Sequence, residues 1–182
     1  MATALRVLTV TVSDTRKQKD DASGDMLAQK LTDAGFAVRR HAPVRDDMLV
    51  IRERVRSAAT QNEADVIVLC GGTGLAPRDV TPEAIEPLFD KRIEGFGEEF
   101  RRRSWTAPRS SPWRESPGQE GALGARAMLS RATAGVVSGT IVVAIPGSPD
   151  AVALAAPLMI DMLPHAVDVV TGRHGHHEHK TK

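Results

Sequence analysis

Two segments of the sequence join the end of an apolar stretch to a glycine-rich turn and then to residues that commonly begin helices. The first is CGGTG at residues 70–74, which leads to TPE at residues 81–83, and the second is PGSP at residues 146–149. Glycine allows the backbone to approach an anion closely, and the N–H groups and dipole of a helix N-terminus favour phosphate. Both segments therefore indicate a phosphate-binding site.

Arg78 and Asp79 add side-chain chemistry to the first segment. The guanidinium of Arg78 is a forked donor suited to phosphate oxygens. A carboxylate does not bind phosphate directly, so Asp79 implies either a proton-accepting role or a bridging cation, usually Mg²⁺ held by a carboxylate and substrate phosphates. The glycine turn alone is a weak indication, because it matches neither the P-loop nor the GxGxxG pattern. Gly-Gly turns also follow strands in α/β proteins that bind nothing there.

Five further polar residues stay open as site candidates. Asp14 follows the first predicted strand and could either line a site or close a simple Asx turn. Asp46 and Asp47 are better explained as helix caps than as catalysts on the residues alone. Ser13 and Ser148 could donate hydrogen bonds to a ligand, but the sequence shows no base partner for them and no Gly-x-Ser-x-Gly pattern.

The elements that must position these residues alternate between predicted strands and predicted helices. Apolar and β-branched runs predict strands at residues 5–12, 36–44, 65–70, 135–137 and 140–145. Periodicity and capping residues, with Thr81 and Ser148 as N-caps, predict helices around residues 20–34, 48–58, 81–90, 96–103, 122–129 and 150–170. This alternation is typical of the α/β class, with a parallel sheet covered by helices on both faces.

The composition is that of a soluble globular chain, with 182 residues, 41% hydrophobic, 26% charged and a net charge of +1. No nucleic-acid partner and no membrane partner are expected from this charge. Cys70 is the only cysteine, so no intramolecular disulfide can form and a cytoplasmic location is the simpler interpretation. No signal peptide is expected, and the apolar residues 151–160, which Pro157 interrupts, are too short for a membrane span and are predicted to form a buried or half-buried helix.

One domain is predicted over residues 1–172, followed by a flexible polar tail at residues 173–182. Residues 104–121 are rich in proline and serine and are predicted to form a long surface loop. The histidines of the tail could catch a metal, but nothing there fixes a geometry, so a solvated tail is the preferred interpretation.

The longest motif of the chain, GGTGLAPRDVTPEA at residues 71–84, resembles the signature of the MoaB/MogA molybdopterin-binding family, which also occurs in the gephyrin G domain. Further matching pieces follow in the order of that family, at residues 12–14, 23–24, 95–98, 128–131, 146–149 and 163–166. The likeness covers about residues 5–170, and a chance GGTG would not bring the other pieces with it. The resemblance implies a three-layer α/β/α molybdopterin-binding fold with a mostly parallel sheet.

The resemblance also implies an activity and an assembly. In the adenylyltransferase members of the family, molybdopterin attacks the α-phosphate of Mg-ATP, giving adenylylated molybdopterin and pyrophosphate. The alternative is a non-catalytic MoaB-type protein that binds molybdopterin, and a third, weaker option is a hydrolase of nucleotide sugars or ADP-ribose. A homotrimer or hexamer is implied, and other cofactor-synthesis enzymes are possible partners. The choice between trimer and hexamer, and between molybdenum and tungsten, stays open.

The resemblance assigns roles to individual residues. Asp79 is similar to the essential aspartate of the family's RDxTPE motif. Asp46 stands where the family has an acidic residue after the second strand, although its context here is VRDD at residues 44–47. Both are implied to be catalytic and to hold Mg²⁺. The ligand is expected to contact Ser13, Asp14, Gly71, Gly72, Thr73, Gly74, Arg78, Ser130, Pro146, Gly147 and Ser148.

Three departures from the family pattern bear on the pocket. Cys70 replaces the more usual Thr before the Gly-Gly pair, with little effect expected because the turn acts through its backbone. Residues 104–121 form an insertion where other members run directly into the serine-containing segment. Arg126 stands where many members have small polar residues, and it would either favour an anionic substrate or cap a helix.

Overall fold

The computed structural model describes residues 4–14, 20–106 and 124–173. The elements follow in the order β1 (Arg6–Thr11), α1 (Ala22–Asp33), β2 (Ala37–Arg40), α2 (Met48–Thr60), β3 (Val66–Cys70), α3 (Thr81–Ile85), a 3₁₀ helix (Glu86–Leu88), β4 (Lys91–Arg92), α4 (Glu94–Thr106), a second 3₁₀ helix (Gly124–Leu129), β5 (Thr133–Val137), β6 (Thr140–Ile145) and α5 (Pro149–Val170).

Six strands form one sheet in the order β2-β1-β3-β6-β5-β4. The pairs β1–β2, β1–β3 and β3–β6 are parallel, whereas β5–β6 and β4–β5 are antiparallel. The mostly parallel sheet is confirmed, and the strands predicted at residues 135–137 and 140–145 pair across a turn at Ser138 and Gly139, where both residues have positive φ. The two-residue β4 was not predicted.

Helices cover both faces of the sheet, so the α/β/α prediction is confirmed. Alternate side chains of β3 point to opposite faces. Val68 packs in the cluster that contains Leu27 of α1 and Met159 of α5. Ile67 packs in the other cluster, with Ile51 of α2 and further residues of α2 and α3. Every residue of β3 is buried, as expected for a central parallel strand.

The boundaries of two early elements differ from the predicted ones. The helix predicted from residue 20 begins at Ala22, because the Asp21 side chain accepts from the N–H of Gly24 and caps it. The strand predicted at 36–44 ends at Arg40. The chain leaves the ladder there and returns at Val44, which forms an isolated parallel bridge with Val12.

The prediction that Thr81 caps a helix running to residue 90 is wrong. The N-cap is Val80, with no side-chain cap bond, and the α-helix ends at Ile85. The Thr81 hydroxyl instead donates to the carbonyl of Gly71 at 2.9 Å. Thr81 is itself the first residue of the helix, and its buried hydroxyl finds its acceptor in the carbonyl of the residue that follows β3.

Predictions for the second half of the chain need two corrections, and one is confirmed. The surface loop predicted from residue 104 begins later, because α4 continues to Thr106. The rest of that predicted loop, residues 107–121, and residues 174–182 of the predicted tail lie outside the described residues. The helix predicted at 122–129 is a 3₁₀ helix from Gly124 to Leu129. The predicted cap at Ser148 is confirmed, since its side chain accepts from the N–H of Ala151.

The last helix is longer than the short apolar stretch suggests. α5 is one continuous helix of 22 residues, and Pro157 lies inside it without ending it. By length and composition this helix could cross a membrane. It is nevertheless the central helix of one face of the domain, because many of its residues are buried there: Ala151, Val152, Ala155, Ala156, Leu158, Met159, Leu163 and Val167.

Asp47 is the cap of α2, so its removal should weaken the fold. One of its carboxylate oxygens accepts from the N–H groups of Leu49 and Val50 at 2.9 and 3.1 Å. We expect Asp47→Ala to lower the free energy of unfolding by about 1 kcal/mol in urea titrations. Asp47→Asn, which keeps an oxygen acceptor, is the control and should lose less. Equal stability of Asp47→Ala and the wild type would contradict the capping role.

Candidate active site

The chain reverses its direction of winding between β1 and β3. β2 and β3 lie on opposite sides of β1 in the sheet. The helix that leads from β1 to β2, α1, and the helix that leads from β2 to β3, α2, pack on opposite faces of the sheet. In open α/β sheets, ligands bind in the crevice at the carboxyl ends of the strands at such a switch point. A cavity of about 230 Å³ opens there, lined by Val12, Ser13, Asp14, Asp46, Gly71, Gly72, Arg78, Asp79 and Gly147.

Backbone hydrogen bonds extend the sheet into the floor of this cavity. The N–H of Val12 donates to the carbonyl of Cys70, and the N–H of Gly71 donates to the carbonyl of Ile145, each at 3.0 Å. The N–H of Ser13 donates to the carbonyl of Val44 at 2.9 Å. The segments that follow β1, β2 and β3 and the end of β6 are therefore tied together by backbone hydrogen bonds.

Glycines 71 and 72 are required by their surroundings. Gly71 has a φ of +124°, and a Cβ atom there would lie 2.2 Å from the carbonyl oxygen of Val12. Gly72 has a φ of +64°, and its Cβ would lie 2.3 Å from Oγ1 of Thr81 and 3.1 Å from Oδ1 of Asp46. The absence of side chains lets the turn approach both the neighbouring strand and a cavity carboxylate.

Asp14 and Asp46 hold their two loops together by a reciprocal pair of hydrogen bonds. The N–H of Asp14 donates to Oδ2 of Asp46 at 2.9 Å, and the N–H of Asp46 donates to Oδ1 of Asp14 at 3.1 Å. The sequence left open whether Asp14, Asp46 and Asp47 line a site or stabilise a turn or helix end, and the structure gives them different positions. Asp47 caps α2, whereas Asp14 and Asp46 both reach the cavity.

Burial raises the pKa of Asp46 above its ordinary value of 3.8, and the negative charges of Asp14 and Asp79 raise it further. The hydrogen bond from Asp14 N–H and the charge of Arg78 oppose this rise. A carboxylate that burial and neighbouring negative charges make harder to ionise is stabilised in its charged form by a nearby cation.

Asp79 shapes the turn that carries it. Its Oδ2 accepts from the N–H of Ala76 at 2.9 Å, and its own N–H donates to the carbonyl of Ala76 at 2.8 Å. A Cβ atom on Gly74 would lie 2.6 Å from the same Oδ2. Glycine at position 74 therefore leaves room for the Asp79 carboxylate.

Arg131 contacts the turn from outside the cavity, a role that the sequence did not suggest although residues 128–131 match a family motif. Its Nε donates to the carbonyl of Gly74 at 2.9 Å, and its Nη2 donates to the carbonyl of Asp79 at 2.6 Å. Its Nη1 pairs with the carboxylate of Glu83. The partners lie 48 to 57 residues away in sequence, so no local pattern reveals them.

Some predicted ligand residues are not among the described residues that line the cavity: Thr73, Gly74, Ser130, Pro146 and Ser148. Thr73 is buried, and its hydroxyl has no hydrogen-bond partner within the described part of the chain. The Ser130 hydroxyl accepts from the N–H of Ala132 at 3.4 Å. Pro146 and Ser148 flank Gly147, which does line the cavity. The side chain of Arg126 lies outside what the structure describes.

Cys70 is buried, and its Sγ lies 3.8 Å from the carbonyl oxygen of Pro146. Within residues 4–14, 20–106 and 124–173, no group of three or more His, Cys, Asp or Glu side chains is arranged to hold a metal ion. A cation in the cavity would therefore need additional oxygen ligands from a bound phosphate.

The fold and the cavity define the chain as an open-sheet α/β protein with a polar crevice at its topological switch point. Residues 7–165 match the family described as "probable molybdopterin binding domain", and the chain belongs to this MoaB/MogA family. It is 40% identical over 164 residues to molybdenum cofactor biosynthesis protein B of Bacillus subtilis strain 168, and the match covers 90% of this chain and 88% of the relative.

Solved structures agree with this assignment. A crystal structure of molybdenum cofactor biosynthesis protein B superposes with a TM-score of 0.81 at 36% identity, covering 94% of this chain and 99% of the other. MoaB from Thermus thermophilus, described as a molybdopterin biosynthesis enzyme, superposes with a TM-score of 0.73 at 33% identity, covering 92% and 97%. The chain is thus a homologue of molybdenum cofactor biosynthesis proteins.

The raised pKa of Asp46 predicts a pH-dependent cost to the fold. A carboxyl whose pKa is higher in the folded state loses no stability below its unfolded pKa and loses stability as the pH rises through its folded pKa. We expect Asp46→Asn to match the wild type in urea titrations below the ordinary carboxyl pKa, to exceed it as the pH rises through the raised pKa of Asp46, and to keep a constant advantage above that pKa. The same difference below and above that pKa would contradict the prediction. Asp161→Asn, on an exposed position of α5, is the control for net charge.

Proposed function

We propose that the protein catalyses the Mg-ATP-dependent adenylylation of molybdopterin. The main support is that Asp46 and Asp79, from loops far apart in sequence, line one cavity together with the glycine turn and Arg78. The same edge of the sheet provides a closely approachable glycine turn, a guanidinium and carboxylates, which are groups that phosphoryl-type transfer uses for alignment and charge neutralisation. Homologous chains are described as cofactor biosynthesis proteins, and one as an enzyme.

The proposed reaction needs no protein nucleophile. A phosphate oxygen of molybdopterin would attack the α-phosphorus of ATP, a new P–O bond would form, and the bond to the β-phosphate oxygen would break so that pyrophosphate leaves. The absence of side chains at Gly71 and Gly72 would let the phosphates approach the backbone closely. The exposed Arg78 would donate hydrogen bonds to the phosphate oxygens. These contacts would align the reacting groups and stabilise the charge that shifts to the leaving pyrophosphate.

Asp46 and Asp79 are the residues that would hold Mg²⁺. Carboxylate oxygens are hard ligands that suit this ion, and the repulsion that Asp46 experiences from Asp14 and Asp79 is the electrostatic feature that a cation would relieve. When bound together with ATP, Mg²⁺ supplies charge neutralisation at the phosphate oxygens. The remaining coordination would come from the substrate and water, since one or two carboxylates are the usual protein share of such sites.

The assembly is part of the proposal. Family resemblance favours a homotrimer or a hexamer of this 19.5 kDa chain in the cytoplasm. Light scattering on the purified protein distinguishes these masses from each other and from a monomer.

The decisive assay combines the purified protein with molybdopterin, ATP and Mg²⁺ and measures pyrophosphate and adenylylated product. We expect turnover by the wild type and a loss of about 100-fold or more in Asp79→Asn, with an unchanged melting temperature. The amide oxygen of Asn can still accept from Ala76, so the fold of the turn is kept while the charge is removed. Asp47→Asn, outside the cavity, is the control.

Two outcomes would count against this function. Wild-type rates in Asp79→Asn would remove Asp79 from the mechanism. Tight molybdopterin binding by the wild type without any product would support the non-catalytic, MoaB-type binding protein instead.

Gly74 and Gly71 should separate an effect on activity from an effect on the fold. In Gly74→Ala the new methyl would meet only the end of the Asp79 side chain, which can swing away, so we expect turnover to fall by about tenfold or more at nearly unchanged stability. In Gly71→Ala the methyl would meet the backbone oxygen of Val12 at a residue with φ of +124°, so we expect a clear loss of thermal stability. The opposite pattern in melting temperature and rate would show that the two glycines have been assigned the wrong roles.

A further inference from the structure

Arg131 makes more contacts with the segment at residues 73–83 than a surface arginine requires. Besides the two side-chain bonds to the carbonyls of Gly74 and Asp79 and the ion pair with Glu83, its backbone N–H donates to the carbonyl of Thr73 at 3.3 Å. The residue lies just before β5, and neither Arg131 nor any residue of β5 is among the described residues that line the cavity.

The two carbonyls that accept hydrogen bonds from Arg131 mark the ends of one turn, from Gly74 to Asp79. A guanidinium is planar and presents its donors in a fixed fork, so simultaneous bonds from Nε and Nη2 fix the separation of the two carbonyls. Residues 75–78 between them are exposed, and Leu75 keeps 66% of its surface in solvent. Burial therefore contributes little to holding this turn, and directed hydrogen bonds must do so.

The direction of the Arg131 side chain argues against direct contact with a ligand. Each of its three nitrogens has a protein acceptor, only 28% of the side chain is exposed, and Arg131 is not among the described lining residues of the cavity. Its influence must pass through the backbone of Asp79, whose carboxylate reaches the cavity and accepts from Ala76.

We propose that Arg131 is a positioning residue, which clamps the turn at residues 74–79 so that the Asp79 carboxylate and the Arg78 guanidinium face the cavity in a fixed arrangement. The expected effect of Arg131 on turnover rests on the proposed function. The expected effect of Arg131 on the turn rests on the contacts alone. A lysine at this position is not equivalent, because a single ammonium cannot reproduce the spaced, planar donors.

The test compares Arg131→Lys and Arg131→Gln with Arg52→Lys. Arg52 is a matched control, because it also donates to two backbone carbonyls, those of Glu83 and Ala84, each at 3.2 Å, but does not contact the turn. Amide hydrogen exchange is measured by mass spectrometry on peptides covering residues 73–80, with peptides from β3 as the internal measure of global opening.

We expect exchange in the turn to become about tenfold faster in both Arg131 variants, while β3 stays protected. In the molybdopterin assay we expect kcat to fall by about 10- to 100-fold, because a small displacement of Asp79 misaligns the reacting groups. Arg52→Lys should change both quantities by no more than about twofold. Glu83→Gln, which leaves the two carbonyl bonds in place, should leave exchange in the turn at the wild-type rate.

Unchanged exchange at residues 73–80 in both Arg131 variants, or an equal change in Arg52→Lys, would overturn the proposal. So would faster exchange in β3 to the same degree, because that result means a general loss of stability rather than a loosened turn. If the wild-type protein has no turnover, the proposed function fails, and the exchange comparison still decides the role of Arg131.

Discussion

The in-register parallel pairing of β3 with β1 on one side and β6 on the other is the constraint on which the site depends. Thr11, Cys70 and Ile145 are partners across the three strands, so all three strands end at the same level. The loops that follow therefore emerge side by side. A slip of one residue in either pair would exchange the two faces of the strand and place each side chain in the opposite hydrophobic cluster, so the packing of the core itself enforces the alignment of the loops.

Given this edge, the site is assembled by polar contacts between loops rather than by packing. The Asp14–Asp46 pair joins the loops after β1 and β2, and Arg131 reaches from the segment before β5 to the turn after β3. Hydrogen bonds of this kind are directional and individually modest in net free energy. They can specify where a carboxylate lies without adding much stability, which suits residues that must contact a ligand rather than fill a core.

The sequence predicts the parts that depend on neighbours in the chain. The buried strands, the β5–β6 turn, the Ser148 cap and the glycine turn all have local signals, and the long motif at residues 71–84 indicates the family. Other features depend on partners 10 to 57 residues away in the chain. These are the bridge of Val44 to Val12, the hydrogen bond of Thr81 to Gly71 and the hydrogen bond of Arg131 to Gly74. Asp46 and Asp47 are indistinguishable by residue type, and only the tertiary position of α2 makes one a cap and the other a cavity residue.

The burial of Cys70 has a practical consequence for following the motion of the turn in solution. It is the only sulfhydryl group among the 182 residues, and just 1% of its surface is accessible. A maleimide dye or a spin label added to the folded protein would find this atom shielded. A cysteine placed at the exposed Leu75 would then be the reactive one, so that a reporter group could be attached to the turn without first removing the native sulfur.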